Sequence, residues 1–453
     1  MFAYTNGDFS LTVKPQEPPR SALSGSQLAS GAVRLLLDTT PLRVSRDFRR
    51  LWIGQAVSFV GTVITMAALP YQVFHLTGSS LAVGLLGLAQ LGPLLVFALV
   101  GGAFADSVDK RRLLLGVTAA SAACSAVLAV NASLDRPQVW LLYVLGAVAS
   151  AAFAVTFPVL RSLLPLLLDA EARPAAFALQ STYGSFGMMV GPAAAGVLIA
   201  GLGLTSAYLG DVVTYAIAVV AFWRIAPSPP VVGAERASPT SVLQGVRFLR
   251  GHSVIVSIFC IDLLAMVFGM PRALFPALAE RLGGGPRLYG LLLSSVAAGA
   301  FVASLTSGWT ARVRRQGRAV LLAVAAWGAT IAVAGLSREP LLVLAMLAGA
   351  GAADMISGVY RSTIAADLTP DDLRGRVSGV EFAVYAGGPV LGDVEAGVVG
   401  GLAGLPFAIV SGGVACVLAA TWFAARVPAF FNYERRSPTA SGGTAREQSS
   451  MER

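Results

Sequence analysis

Isolated carboxylates interrupt long apolar stretches of this 453-residue sequence. An ionisable side chain within such a stretch is costly, and it indicates a functional group by default. A carboxylate there can take up and release a proton, or it can pair with a cationic group. Asp262 lies about 13 Å into its predicted helix and is the first candidate for proton coupling. The alternative for Asp262 is a structural carboxylate that pairs with a polar neighbour.

Two further candidate carboxylates, Asp354 and Glu381, are predicted near Arg361 and Arg376 toward one end of their helices. We interpret them as a charge network that stabilises one state of a gate, with simple pairing at helix ends as an equal alternative. Arg161 could attract an acidic substrate into a cavity, or its side chain could extend to the membrane surface.

The remaining acidic candidates are weaker. Asp393 and Glu395 are two residues apart, so they point to different faces of a helix and at most one of them faces a cavity. Asp393 is kept as a coupling candidate. Asp211 is predicted near the outer third of its helix, where it could reach the interface, and it ranks lowest.

The sequence lacks the groups of residues that metal binding, enzymatic catalysis or nucleotide binding would require. The two histidines, His75 and His252, are far apart, and Cys124, Cys260 and Cys416 lie alone in apolar runs. Neither a metal site nor the clustered groups of an enzyme are expected from this pattern. The sequence also lacks a GxxxxGK[ST] phosphate loop. We therefore expect no cofactor, no nucleotide and no enzymatic activity.

The composition indicates a membrane protein. Hydrophobic residues make up 55% and charged residues 13% of the chain, whereas soluble proteins carry about 25% charged residues. Apolar runs of about 20 residues, each long enough to cross a bilayer, predict twelve helices. They cover 51–75, 80–104, 112–132, 138–160, 177–201, 204–225, 253–276, 286–308, 317–336, 340–361, 377–400 and 402–426.

The basic residues predict the orientation of these helices. With the N-terminus in the cytosol, 28 of the 33 Lys and Arg residues fall on the cytosolic side, as the positive-inside rule requires. This bias also explains the net charge of +9 without nucleic acid. We expect an inner (plasma) membrane protein with both termini cytosolic. Its predicted parts are an N-terminal tail (1–47), a six-helix bundle (48–225), a linker (226–252), a second six-helix bundle (253–426) and a disordered C-terminal tail (427–453).

A repeat of about 200 residues relates the two predicted bundles. Arg161-Ser162 ends the fourth helix and Arg361-Ser362 ends the tenth. Each pair is followed by an acidic loop and then by a Gly-rich helix. Two six-helix halves in the same orientation are one of the repeat plans of transporters.

The loop after the second helix carries the most specific motif. It reads Gly101-Gly102-Ala-Phe-Ala-Asp106-Ser-Val-Asp109-Lys110-Arg111-Arg112. Gly102 permits close helix approach, Asp106 can pair at the membrane edge, and the basic run can anchor on anionic lipid. This motif resembles the signature loop of the major facilitator superfamily. The corresponding loop of the second half departs from the pattern, since Arg312 stands where the family has Asp.

Further stretches, including Phe48–Gln55 and Leu373–Val377, resemble the branch of that superfamily with the enterobactin exporter and macrolide efflux proteins. The similarity covers about residues 45–425. Gly187, Gly191 and Pro192 of the fifth helix also resemble an antiporter motif, although ordinary packing of small residues is the alternative. The resemblance implies an all-α major facilitator fold that exports a small siderophore-like or drug-like molecule.

Our expectation is proton-coupled efflux by alternating access between two bundles of six helices, with membrane lipid around them. A proton gradient is the default driver because no motif for ATP is present. Three alternatives remain open at this stage: an importer of a small solute on the same fold, a membrane-embedded enzyme, and a non-transporting scaffold or sensor.

Overall fold

The computed structural model describes residues 38–227, 252–370 and 373–435, and for residues 98–107, 375 and 376 only the backbone. Every regular element in these ranges is helical. The long helices are α1 (Arg46–Thr77), α2 (Ser80–Ser107), α3 (Lys110–Ser133), α4 (Val139–Leu167), α5 (Arg173–Leu202), α6 (Leu204–Trp223), α7 (Ser253–Gly269), α8 (Gly285–Leu305), α9 (Gln316–Leu336), α10 (Pro340–Leu368), α11 (Arg374–Ala403) and α12 (Leu405–Arg426).

Eleven of the described helices are long and apolar enough to cross a membrane. The twelfth, α11, has 30 residues and carries Glu381, Asp393 and Glu395. It packs against α2 and α7 and so lies within the bundle. The arrangement is consistent with the twelve spans predicted from the sequence, and the prediction of an all-α membrane fold is confirmed.

The helices pack in two bundles with the same internal plan. In the first bundle α1 contacts α5 and α6, α3 contacts α4 and α6, and α2 contacts α4. In the second bundle α7 contacts α11 and α12, α9 contacts α10 and α12, and α8 contacts α10. The bundles meet through two equivalent pairs, α2 with α11 and α5 with α8. Each pair joins the second helix of one bundle to the fifth of the other.

Short connections set the up-and-down course of the chain. Ser45, Ser79 and Asp109 cap the N-termini of α1, α2 and α3 through their side-chain oxygens, which satisfies backbone N–H groups that lack a partner in the helix. Gly78 ends α1 at φ 63°, a left-handed conformation that favours glycine. We call the end of the molecule where the chain enters α1 and leaves α12 the terminal end, and the other the distal end.

The seventh helix is shorter than predicted. The sequence predicted one helix over 253–276, but α7 ends at Gly269 and is followed by a single turn, Arg272–Leu274, and a short helix, Phe275–Arg281. Pro271 explains the break, because it cannot donate a helix hydrogen bond and disfavours helix at the residue before it. The helix is thus interrupted, although the segment Ser253–Arg281 as a whole is long and apolar enough to cross a membrane.

The first residues of the described chain are also more ordered than predicted. A short helix, Thr40–Val44, precedes α1, which begins two residues before the predicted bundle. Asp38 accepts a hydrogen bond from the backbone N–H of Thr40 at 2.9 Å, and its bonds with Thr40 hold the pKa of this carboxyl below its usual range. The rest of the predicted N-terminal tail, 1–37, lies outside the described residues.

Part of the predicted C-terminal tail docks on the second bundle. Phe430 is fully buried, Arg315 pairs with Glu434 at 2.9 Å, and Arg435 pairs with Asp367 at 3.5 Å. The expectation of a tail disordered from residue 427 was therefore wrong for the segment up to 435, because an aromatic anchor and two ion pairs hold it. Residues 228–251 of the linker and 436–453 of the tail lie outside the described chain.

Candidate functional site

The two bundles are closed against each other at the distal end. The Tyr289 hydroxyl on α8 donates to the Ala67 carbonyl on α1 at 3.0 Å, and the rings of Tyr71 and Tyr289 are 5.3 Å apart. All three residues are buried in an apolar cluster that draws on both bundles. We call these contacts and the glycine contacts described next the distal closure.

Glycines let the paired helices approach backbone to backbone at this closure. A side chain on Gly84 of α2 would collide with the Asp393 carbonyl of α11, and one on Gly397 would collide with Leu81. Gly196 of α5 lies in the same way against Gly290 of α8. The distal part of both helix pairs is therefore in direct backbone contact.

Toward the terminal end the same helices face open space. A Cβ on Gly92 of α2, Gly184 of α5 or Gly387 of α11 would meet no atom within 4 Å. Tyr385 on α11 is 67% exposed, yet it is within electrostatic reach of Asp262 and other charged groups in the second bundle. The exposed surface of Tyr385 is thus close to these charged groups, from which we infer a cavity between the bundles that opens at the terminal end.

The charged centre of this cavity joins α7 and α10. Arg361 forms an ion pair with Asp262 and lies 3.7 Å from the Asp354 carboxylate. The side chains of Asp262 and Arg361 are 13% and 14% exposed, whereas that of Asp354 is 47% exposed. A guanidinium between two carboxylates can exchange one partner for the other when one is neutralised, which is the behaviour that a proton-dependent switch needs.

The other predicted members of this network are placed less completely. Glu381 on α11 is half-buried and acts electrostatically on Asp262. Arg376 lies in the first turn of α11, but its side chain is outside the described part. Asp354 lies midway along α10 rather than toward one end. Arg161 is exposed and its guanidinium lies 4.6 Å from the ring centre of Phe157, one turn away on α4.

Asp393 lies apart from this network. Its carboxylate accepts hydrogen bonds from Arg272, at 2.9 Å, and from the backbone N–H of Ala273, also at 2.9 Å. Both partners belong to the turn after α7, so Asp393 ties that turn to α11 at the distal closure. The sequence suggested Asp393 as a coupling residue but gave no indication of Arg272, because the break at Pro271 was not predicted.

The signature loop holds helices together at the terminal end. Asp109 accepts a hydrogen bond from the Arg112 N–H at 2.8 Å, Arg111 donates to the Trp223 carbonyl at the end of α6, and Lys110 is buried. Gly102 and Asp106 fall in the last turns of α2, where the structure describes the backbone alone. The described part of the loop thus fixes α3 to the end of α6.

The glycines of the antiporter-like motif pack within their own bundle. A Cβ on Gly187 would lie 2.6 Å from the ring of Phe59, and one on Gly191 would lie 2.7 Å from the Val63 side chain. Both contacts are with α1. Pro192 is inside α5, where it removes one helix hydrogen bond. The geometry matches the simpler interpretation of small-residue packing for both glycines.

The second bundle repeats this arrangement. A Cβ on Gly388 or Gly392 of α11 would strike Met266 of α7, as Gly187 and Gly191 of α5 strike α1. The repeat predicted from the sequence is therefore visible in individual packing contacts.

One buried carboxylate was underestimated from the sequence. Asp211 on α6 is 1% exposed, and its carboxylate contacts the hydroxyls of Thr65 at 2.6 Å, Ser125 at 2.7 Å and Thr214 at 3.3 Å. It lies inside the first bundle, not at an interface. Hydroxyl residues spaced on one face of α1 and of α3 were the sequence signal that could have located its partners.

Comparison with known proteins agrees with this architecture. The family described as transmembrane secretion effector matches residues 38–440. The enterobactin exporter EntS of Shigella boydii is 27% identical over 368 residues, which cover 81% of this chain and 88% of the exporter. EntS of Escherichia coli O139:H28 is 26% identical over the same coverage.

Solved structures share the fold at low sequence identity. A point mutant of the nucleoside transporter NupG superposes with a TM-score of 0.70 at 14% identity, covering 84% of this chain and 99% of NupG. A mutant of the peptide transporter POT superposes with a TM-score of 0.70 at 11% identity, covering 86% of this chain and 96% of POT. These similarities show the fold alone.

Proposed function

Because the chain belongs to the transmembrane secretion effector family of the major facilitator superfamily, a family of multi-pass membrane transporters, we propose that it exports a small organic molecule in exchange for protons. The relatives at 26–27% identity are exporters of enterobactin, which supports efflux as the direction of transport. A siderophore-like or drug-like solute is the substrate class we propose, and a contribution to drug resistance follows if the solute is a drug.

We further propose that the terminal end faces the cytosol. The 28 basic residues assigned to that side by the sequence favour this orientation. Both termini would then be cytosolic in a bacterial inner membrane, and the structure would represent the inward-open state. A substrate would enter from the cytosol or the inner leaflet and reach the charged centre without passing a gate.

The observation that carries the proposal is the ion pair between Asp262 and Arg361 at the edge of an open cavity, below a closed distal end. A proton on Asp262 forms an O–H bond, neutralises the carboxylate and weakens its attraction for Arg361. The guanidinium is then free to turn to Asp354, its other neighbour at 3.7 Å. Release of the proton restores the pair, so that proton occupancy and the position of Arg361 change together.

Rocking of the bundles completes the proposed cycle. Proton uptake from the distal side drives the return to the inward-open state, and proton release to the cytosol accompanies substrate loading. The Tyr289–Ala67 hydrogen bond and the glycine contacts of the distal closure join the two bundles and must break in the outward-open state. The Arg272–Asp393 pair lies within the second bundle and moves with it. Such rigid-body rocking around a central site is the general mode of this class of transporter.

Import on the same fold is the second candidate. The fold is shared with a nucleoside transporter and a peptide transporter, but at identities that indicate nothing about the direction of transport. Export is preferred because the relatives at 26–27% identity are enterobactin exporters. A membrane enzyme or a scaffold has no comparable support.

Efflux from intact bacterial cells tests the proposal. Cells that express the wild-type protein, Asp262→Asn or no protein are loaded with siderophores, macrolides or cationic dyes while de-energised, and then supplied with glucose. We expect faster loss of at least one compound from wild-type cells, and no gain from Asp262→Asn or in the presence of a protonophore. Net accumulation in wild-type cells would establish import instead, and efflux that persists in Asp262→Asn would remove this residue from the coupling mechanism.

A further inference from the structure

The interior of the first bundle contains a carboxylate that the proposed transport mechanism does not use. Asp211 lies where α1, α3 and α6 meet and is 1% exposed. Its Oδ2 accepts hydrogen bonds from Thr65, at 2.6 Å, and from Ser125, at 2.7 Å. Within residues 38–227, 252–370 and 373–435, Asp211 forms no ion pair.

The groups around Asp211 on every packed helix are uncharged. On α1 they are Thr65 and Gly61, where a side chain would collide with the Asp211 carboxylate. On α3 the partner is Ser125, and the neighbouring Cys124 is a free, buried thiol. Tyr215, on α6, is bound by the Thr62 hydroxyl at 2.9 Å. The described surroundings thus supply hydrogen bonds to Asp211 but no positive charge.

Oδ1 is the less well satisfied oxygen of Asp211. The Thr214 hydroxyl donates to the Asp211 backbone carbonyl at 2.8 Å, and its contact to Oδ1, at 3.3 Å, shares the same single hydrogen. Oδ1 therefore accepts only a weak hydrogen bond. A proton on Oδ1 would let the carboxyl donate a hydrogen bond of its own to the Thr214 oxygen.

The energetic cost of an ionised Asp211 also favours the protonated form. An unpaired carboxylate within a membrane helix is costly, and no cation of the described chain pairs with Asp211. The neutral acid keeps both hydrogen bonds to Oδ2 and adds the one from Oδ1. All the hydrogen-bonding capacity of the carboxyl group is then used without a buried charge.

The second bundle shows that the fold does not require this polar cluster. At the equivalent meeting of α7, α9 and α12, a Cβ on Gly269 would strike Trp327 and Cys416, and Gly328 lies directly against the backbone of Gly413. The same helix arrangement is thus built there from small and apolar residues. The fold can therefore be built at this place without Asp211 and its hydroxyl partners.

We propose that Asp211, together with Thr65, Ser125 and Thr214, forms a proton-binding site within the first bundle that is separate from the Asp262–Arg361 pair. The proton comes from water, forms the Oδ1–H bond and leaves the site neutral. This proposal goes beyond the proposed function, since it requires no substrate. The site is nevertheless close to the distal closure. Thr65 lies two residues before Ala67, whose carbonyl accepts the hydrogen bond from Tyr289.

Infrared spectroscopy of the purified, reconstituted protein at neutral pH tests this proposal, in sodium-free buffer and without substrate. We expect a carbonyl stretch of a protonated carboxylic acid that shifts in D2O, is absent from Asp211→Asn and is retained in Asp262→Asn. The matched variant Thr214→Ala keeps Asp211 but removes the acceptor of its proton, so the band should shift in frequency. That variant gives a reading even if Asp211→Asn does not fold.

Two results would overturn the proposal. An acid band that is identical in the wild type, Asp211→Asn and Thr214→Ala would mean that Asp211 is ionised. Sodium binding, seen as ²²Na⁺ retention lost in Asp211→Asn without any acid band, would assign the site to a metal cation instead. Neither result depends on whether the protein exports a solute, so the outcome is distinct from that of the efflux experiment.

Discussion

Asp262 and Arg361 form an ion pair with little exposure to solvent, and their substitution should reveal its energy. Removing one partner of a buried pair costs about 3–5 kcal/mol, and Asp354 at 3.7 Å compensates part of that cost for Arg361. We therefore expect Asp262→Asn to lower the free energy of unfolding by about 2–3 kcal/mol. The double variant Asp262→Asn with Arg361→Gln should lose less than the sum of the two single variants.

Denaturant unfolding in detergent micelles measures these values. The exposed pair of Arg315 and Glu434, at 60% and 46% side-chain exposure, is the matched control, with an expected effect below about 1 kcal/mol. Additive effects of the two buried substitutions would show that Asp262 and Arg361 do not act as a pair.

At the scale of residues, the sequence predicted which charged residues are important better than it predicted the residues with which they pair. Asp262, Asp354 and Arg361 were recognised because charges stand out in apolar runs. The partner of Asp393 was not, since Arg272 reaches it only after the chain breaks at Pro271. Asp211 was undervalued because its partners are hydroxyls, which are common in membrane helices, so their spacing on one face of α1 and of α3 was given no weight.

At the scale of helices, the distal closure depends on small residues in α2, α5, α8 and α11. We expect Gly397→Leu to force α11 away from α2, because even a Cβ there would lie 2.8 Å from the Leu81 Cα. The variant should favour the outward-open state. Gly401→Leu, one turn further along α11 with no atom within 4 Å of its Cβ, is the control.

Spin labels at Leu209 and Leu402, in a variant without the native cysteines, report the separation of the bundles at the distal end. Both positions are exposed, at 51% and 85%. A longer distance in Gly397→Leu than in Gly401→Leu is the expected outcome. Equal distances in the two variants would mean that the glycine contact does not control the closure.

The docked C-terminal segment gives a further prediction at this scale. Phe430→Ala removes a fully buried ring and should weaken docking by about 3 kcal/mol. Trypsin should then cleave after Arg435 more than about tenfold faster, because cleavage follows the population of the open form. Phe407→Ala, at a position that is 57% exposed, should leave the rate unchanged. Similar rates in the two variants would contradict a role for Phe430 as anchor.

Helix positions were well predicted from the sequence because the length of apolar runs is fixed by the membrane. Most observed ends lie within a few residues of the prediction. The exceptions are α7 and the terminal-side ends of α4 and α10, which run to Leu167 and Leu368 instead of 160 and 361. The length of an apolar run does not reveal that a proline such as Pro271 breaks the helix within it. It also does not reveal how a polar segment such as 428–435 docks, since that depends on a distant surface.

The whole molecule combines a closed distal end, a cavity open at the terminal end, and carboxylates in both bundles. The sequence repeat suggested a pseudo-symmetry in which α2–α11 and α5–α8 are equivalent pairs. This pseudo-symmetry explains how the closure can change from the distal end to the terminal end. Which state the chain adopts could not be predicted from the sequence, since both states use the same helices. Proton-coupled export joins these features in one account.

Transport in everted inner-membrane vesicles tests that account most directly. The vesicles are energised to an inside-acid gradient, and uptake of each candidate solute is followed together with the internal pH. We predict uptake that dissipates the gradient in proportion to solute, and that is lost in Asp262→Asn but not in Arg315→Gln. Solute uptake that leaves the pH gradient untouched, or that proceeds equally in Asp262→Asn, would contradict proton coupling at this site.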